Sequence, residues 1–184
     1  MEKVASKCYR PTTTLLLDQI RKNDGRFKVS FSITGTAIEQ MQAWAPDVID
    51  LLQQCAATGC ADFLAETSHH SLSSLYAPAE FKLQVEKHVS LMQELFDIEP
   101  IVFRNTELIY SDRIAKSVVD MNRFRGMTCE GVDRILGDRS PAWVYAPDGS
   151  GEHLPSAKIR LLLKNYRLSD DIAFRFSDQN WSEW

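Results

Sequence analysis

Short apolar runs alternate with longer amphipathic stretches along the chain, and that order most restricts what it can fold into. Phe27–Ile33 alternates large apolar residues with small or polar ones. Ala61–Ala65, Ile101–Phe103 and Gly126–Cys129 are shorter runs of strand character. Between them the spacing predicts helices. Glu2–Lys22 is expected to turn Val4, Leu15, Leu16 and Ile20 inward, with a kink near Pro11, before Asn23-Asp24-Gly25 stops it. Ala37–Ala57 is helical, with Pro46 breaking or restarting it and Gly59 closing it. Pro78–Phe96 places Phe81, Val85, Leu91, Leu95 and Phe96 near one face, and Ser111-Asp112 opens a helix over Ile114–Met121. Strands and helices in this order imply βαβ units and parallel strands, hence an α/β fold. An incomplete parallel barrel fits the order better than an open sheet. Gly137–Ser156, rich in Pro, Gly, Asp and Ser, reads as a long surface loop. Lys158–Asn165 and Ile172–Phe176 read as further strands. Residues 1–184 make one domain or a large part of one.

Composition narrows the function classes. Hydrophobic residues are 44% and charged residues 25%, as in ordinary globular chains. A net charge of −4, with both signs mixed along the chain, argues against nucleic acid as a partner. Met1–Arg10 has no apolar run to serve as a signal core, and Leu15–Leu17 and Leu161–Leu163 are far too short to span a bilayer. A cytoplasmic protein with no membrane partner is the expectation. Cys8, Cys55, Cys60 and Cys129 show no metal-ligand spacing and are too few for a disulfide scaffold, so buried free thiols are expected.

In parallel α/β proteins, reactive groups gather where strands end. Polar residues crowd behind three of the apolar runs, as Ala65-Glu66-Thr67-Ser68-His69-His70, Arg104-Asn105-Thr106-Glu107 and Glu130-Gly131. Glu107 stands out, since it closely follows a strand and Arg104 is near enough in sequence to favour an ionised carboxylate. An ionised carboxylate suits a glycosidase nucleophile. It also suits a cap or ion pair on the following helix, and the residues alone leave both open.

Phe103-Arg104-Asn105-Thr106-Glu107-Leu108-Ile109-Tyr110-Ser111-Asp112 resembles the nucleophile-bearing segment of the α-amylase-like group of glycoside hydrolase family 57. Lys28–Ala37, Phe63–Thr67, His70–Leu75 and Arg167–Asp178 resemble that group in the same order. The resemblance implies a (β/α)₇ barrel, a retaining mechanism without a cofactor, and α-glucan substrates such as starch, glycogen or maltodextrin. It carries Glu107 over as nucleophile, and Glu66, His70, Arg104 and Asp171 as candidate sugar contacts or supporting residues. No HQP-type motif precedes Glu2, and the family's acid-bearing Asp segment is expected after Ser177–Trp181, where this chain stops. The chain therefore reads as truncated at both ends, inactive alone and prone to self-association. Asp62, Ser68-His69 and Cys129 depart in detail from the group's usual residues.

Two rivals remain open. A metal-dependent polysaccharide deacetylase has similar topology, but Ser74 stands where an HxxxH ligand pair starting at His70 needs its second His, and no acidic pair occurs in the first strand. A non-catalytic glucan- or partner-binding remnant is the other rival. Trp44, Tyr110, Trp143, Tyr145 and Trp181 could stack on sugars, although core or interface roles are the expectation for most of them.

Overall fold

A computed structural model describes residues 1–147 and 159–178 and divides the chain into two compact units, Met1–Thr106 and Glu107–Trp184. The expectations that fall on residues 148–158 and 179–184, Trp181 among them, lie outside the described residues.

The first unit opens with α1 (Glu2–Val4), a π-helical turn over Ala5–Tyr9, and α2 (Arg10–Lys22). The wide turn, where the Arg10 N–H reaches back to the Ala5 carbonyl, takes the place of a kink at Pro11. It also resets the helical phase, because one extra residue in a turn carries later side chains about 100° around the axis. The inner face is accordingly Thr13, Leu17 and Ile20, while Val4 and Leu15 are 46% and 58% exposed. This corrects the face expected from spacing alone.

Next come β1 (Val29–Phe31), α3 (Gly35–Trp44), α4 (Pro46–Ala57), β2 (Ala61–Phe63), α5 (Ser73–Tyr76), α6 (Pro78–Phe96) and β3 (Val102–Arg104). Pro46 does divide two helices, since a proline at the first turn needs no amide hydrogen bond. Gly59 takes a φ of 66°, the left-handed turn that ends α4 cheaply only at glycine. β1 and β2 pair in parallel from Val29↔Ala61 to Phe31↔Phe63, and Ala65 bridges to Phe103 in parallel. The core gathers Ile38, Met41, Val48, Leu52, Phe63, Met92 and Phe96. Phe63 stacks on Phe96 with centroids 4.4 Å apart and lies 5.3 Å from Phe31.

Gly35 starts α3 at a close approach. A Cβ there would sit 2.3 Å from Ser68 Oγ and 3.0 Å from the Ser68 carbonyl, which itself accepts from Thr36 N–H. Only glycine lets the loop after β2 lie this close to the start of α3.

The second unit contains α7 (Asp112–Asp120), β4 (Gly126–Glu130), α8 (Asp133–Leu136), β5 (Val144–Tyr145), β6 (Arg160–Lys164), α9 (Tyr166–Asp170) and a π-helical turn over Asp171–Arg175. β4 and β6 are parallel, and β5 pairs antiparallel with β6. The α/β class with parallel strands holds, with that one antiparallel addition. β5 lies inside the stretch expected to be all loop, and the segment Ile172–Phe176, expected as a strand, is instead the helical turn and its cap. Asn165 caps α9 by accepting the Leu168 N–H and so starts helix where alternation suggested strand. Ile172, Phe174 and Phe176 are all exposed.

Of the cysteines, Cys55 and Cys129 are buried, Cys60 is half-buried and Cys8 is exposed, so the expectation of buried thiols holds for part of the set. Burial, with Glu130 adding to it, pushes the Cys129 thiol up to about 11.

At the end of β4, a Cβ on Gly131 would meet the Lys164 carbonyl at 2.4 Å, a backbone atom that cannot swing aside. Gly131→Ala is expected to cost about 1–3 kcal/mol by overpacking, read as a lower urea midpoint. A Gly59→Ala control meets nothing within 4 Å, and its cost comes from positive φ alone.

Candidate functional site

Past the paired part of β1 and β2, the chain turns polar in both strands. Ser32 follows β1 directly, and Glu66 lies just beyond the Ala65 bridge. Glu66 is 2% exposed, and its Oε1 accepts from Ser32 Oγ at 2.8 Å. Its Oε2 lies 3.9 Å from His70 Nδ1. A buried carboxylate is costly unless paired and hydrogen-bonded, and here both kinds of partner are at hand. Arg104 ends β3, and its N–H donates to the Ala65 carbonyl at 2.7 Å.

Glu66, His70 and Arg104 line one cavity of about 430 Å³ with Ser32, Thr34 and Tyr9. The structure thus brings together three of the residues singled out from the sequence. Its other wall comes from α2 and α4, through side chains such as Leu16, Val48 and Leu52. One end of the cavity is therefore polar and the other apolar, the arrangement common in small-ligand sites.

The loop that carries His70 is held by a closed set of hydroxyl bonds. Ser71 N–H donates to Thr67 Oγ1 at 2.9 Å, and Thr106 Oγ1 donates to the Ser71 carbonyl at 2.8 Å. Each hydroxyl has one proton, so the 3.0 Å contact between Thr67 Oγ1 and Thr106 Oγ1 has Thr67 donating. Asn105 Nδ2 donates to Ser74 Oγ at 3.1 Å. Asn105 and Thr106, both buried, thereby fix the chain immediately before Glu107.

Glu107 is exposed and opens the second unit, within a 3₁₀ turn over Thr106–Leu108. It and Leu108 are both left-handed, with φ of 53° and 56°. Two such residues in succession, neither of them glycine, are strained, and strain of order 1–3 kcal/mol each persists only where the surroundings impose it. The following helix is capped by Ser111, whose hydroxyl accepts the Ile114 N–H, so Glu107 is not its cap. Asp171 also lies in the second unit, half-buried and paired with Arg175 one helical turn on.

His88 was missed by the sequence reading. It sits on α6, fully buried, with Nε2 at 2.8 Å from the Ile33 carbonyl and Nδ1 at 3.5 Å from the Glu66 N–H. The signal was available, because His88 falls on the apolar stripe of Val85, Val89 and Met92.

Burial lowers the His88 pKa below its ordinary value, against the opposing pull of the Ile33 carbonyl and the Glu66 carboxylate. The unfolded chain then binds the proton more readily than the folded one. Stability should be full above about pH 6.5 and fall as pH drops from there towards the depressed folded value. Urea midpoints between pH 5 and 7 check this. His88→Gln removes this part of the slope, while Glu66, whose carboxylate acts on the ring, remains in both proteins.

A core role, one of the two expected for most of the aromatics, does not hold for either described tryptophan among them. Trp44 and Trp143 are 55% and 64% exposed rather than core residues, while Tyr110 and Tyr145 are half-buried. Tyr145 donates to the Ser140 carbonyl. Among the described residues, no group of three or more His, Cys, Asp or Glu is placed to hold a metal ion. None of their helices is long and apolar enough to cross a membrane.

In the first unit, parallel strands carry a cavity with a polar end at their C-terminal ends, where α/β proteins place their reactive groups. The Glycosyl hydrolase family 57 profile matches residues 1–183, and the chain belongs to that family. It is 45% identical over 184 residues to a Methanocaldococcus jannaschii protein named "Putative alpha-amylase", covering 99% of this chain and 37% of that protein. Its fold is similar to that of a 4-alpha-glucanotransferase from Thermococcus litoralis, with a TM-score of 0.77 at 18% identity, over 95% of this chain and 26% of that one. A branching enzyme of the family from Pyrococcus horikoshii gives 0.67 at 12% identity, over 89% and 41% of the two chains. The chain thus spans well under half the length of these relatives.

Proposed function

We propose that these residues form the nucleophile-bearing part of a retaining, α-glucan-active enzyme. The observation that carries this reading is Glu107 itself. It is an exposed carboxylate at a strained turn just past β3, preceded by two buried residues whose side chains are locked to the His70–Ser74 loop. Such a turn presents its carboxylate without leaving it free to wander, as a nucleophile requires.

In this reading the Glu107 carboxylate attacks the anomeric carbon of an α-glucan, and the glycosidic C–O bond breaks as a glycosyl ester forms. A second carboxyl group gives its proton to the departing oxygen. It then takes a proton from the acceptor, water in hydrolysis or a sugar hydroxyl in transfer, as the acceptor oxygen bonds to the anomeric carbon and the ester bond to Glu107 breaks. Glu66, His70 and Arg104 hold sugar hydroxyls at the cavity, where Ser32 fixes one oxygen of Glu66 and leaves the other facing His70. Asp171 is a further sugar contact or supporting residue. No step calls on a metal or cofactor. Starch, glycogen or maltodextrin in the cytoplasm would be the substrate.

A second reading, glucan binding without turnover, is favoured by the exposed Trp44 and Trp143, whose faces are free to stack on sugars. One experiment separates the two. The 184 residues replace their counterpart in the longer 45% identical relative, and maltodextrin products are followed by chromatography. Cleavage or chain-length redistribution supports the enzyme. Binding with neither supports the second reading.

Self-association is also expected. Among the described residues β1 pairs only with β2, and an unpaired strand edge is a template for another chain. Sedimentation should show mass rising with concentration; a monomer throughout would refute it.

A further inference from the structure

The ladder between β1 and β2 ends with the Leu64 N–H donating to the Phe31 carbonyl at 2.8 Å. Ala65 then pairs with β3, through its own N–H to Val102 and its carbonyl from Arg104. The second strand has changed partner, so the Ile33 carbonyl and the Glu66 N–H find no bond in that ladder. Buried backbone groups left in this way need another partner. The His88 ring supplies it to both, at 2.8 Å and 3.5 Å.

A neutral imidazole has one donor and one acceptor. The Ile33 carbonyl can only accept and the Glu66 N–H can only donate, so Nε2 carries the proton and Nδ1 the lone pair. No other common side chain of that size spans two strand ends with this order of donor and acceptor, except an amide. The groups beside the two bridged atoms are the polar wall of the cavity. Ser32 precedes Ile33, and the Glu66 side chain accepts from the Ser32 hydroxyl.

We propose that His88 is the positioning residue of this wall, its ring fixing the separation of the two strand ends and so the Ser32–Glu66 pair that meets a sugar hydroxyl. The inference rests on the reading of Glu66 as a sugar contact. His88 does not line the cavity, so its effect on binding must pass through the groups it holds.

The test uses the ¹⁵N-labelled chain with maltoheptaose as the probe. Long-range ¹H–¹⁵N spectra of the folded wild type should show the Nε2–H tautomer of His88. His88→Leu keeps the bulk and loses both bonds. It should move the amide resonances of Ser32 and Glu66 and weaken maltoheptaose binding about tenfold, the equivalent of one buried hydrogen bond. His88→Gln keeps a donor and an acceptor and should restore both readouts. Unchanged amides and affinity in His88→Leu would overturn the proposal while leaving Glu66 as a sugar contact. A Gln variant as damaged as the Leu variant would also overturn it. If the wild type binds no maltoheptaose, the glucan reading fails, and the amide shifts alone decide whether His88 positions the wall. Should His88→Leu not fold, the tautomer decides: an Nδ1–H ring in the wild type contradicts the bridge.

Discussion

Glu107→Gln, made in the 184 residues transplanted into the longer 45% identical relative, should lower maltodextrin turnover by at least about 10³-fold without lowering the melting temperature. The amide keeps the shape of the carboxylate and much of its hydrogen bonding, but has no charge with which to attack the anomeric carbon. The site's exposure favours this clean separation of activity from stability. Glu107 is on the surface of a turn whose anchors are Asn105 and Thr106, and substitution leaves their bonds in place. An affinity for maltoheptaose that survives the substitution, with turnover gone, would place the loss in the chemical step. Turnover at the parent rate would remove Glu107 from the mechanism.

Phe63→Ala should be the most damaging single truncation in the first unit, at about 3–5 kcal/mol. Phe63 is 1% exposed, belongs to the inner residues of β2, and contacts Phe96 by stacking and Phe31 at a tilt. Truncation loses the transfer energy of the ring and leaves a cavity between aromatic neighbours that cannot fully collapse. Against a total stability of about 5–15 kcal/mol this is a large share, and calorimetry should show a drop on the order of 10 °C. Leu15→Ala is the contrasting control. It truncates a side chain that spacing assigns to the core and the fold leaves 58% exposed, and it should stay within about 0.5 kcal/mol of the parent.

Those two positions show what the sequence makes legible and why the rest is hidden. α6 starts at Pro78 and ends at Phe96 as expected, because a proline at the first turn and a long apolar stripe are both local signals. The break between α3 and α4 is legible for the same reason at Pro46. The face of α2 is not, since a single π-helical turn shifts its phase and nothing local marks that turn in advance. Ile172–Phe176 misleads because alternating apolar residues fit a strand, whereas the cap that decides for helix lies upstream at Asn165. β5 hides in a Pro- and Gly-rich stretch and exists through pairing with β6, a contact between distant residues.

The candidate site divides along the same line. Crowding of polar residues behind β2 and β3 marked the segments, Glu107 stood out within them, the resemblance added Glu66, His70 and Arg104, and these last three line one cavity. The apolar wall from α2 and α4 and the His88 bridge depend on tertiary packing, so no spacing rule reaches them. His88 was at least visible as a polar residue on an apolar stripe. Asp171, read from the resemblance, is found paired with Arg175 within its own turn.

The central claim is that Glu107 forms the covalent bond to the sugar. The transplanted protein is incubated with a slow, activated fluoro-maltosyl donor, digested, and mapped by peptide mass spectrometry. The account predicts one added maltosyl-type mass on the peptide containing Glu107, absent when Glu107→Gln is treated in the same way. An adduct on any other carboxylate, or rapid turnover of the donor by Glu107→Gln, would contradict it.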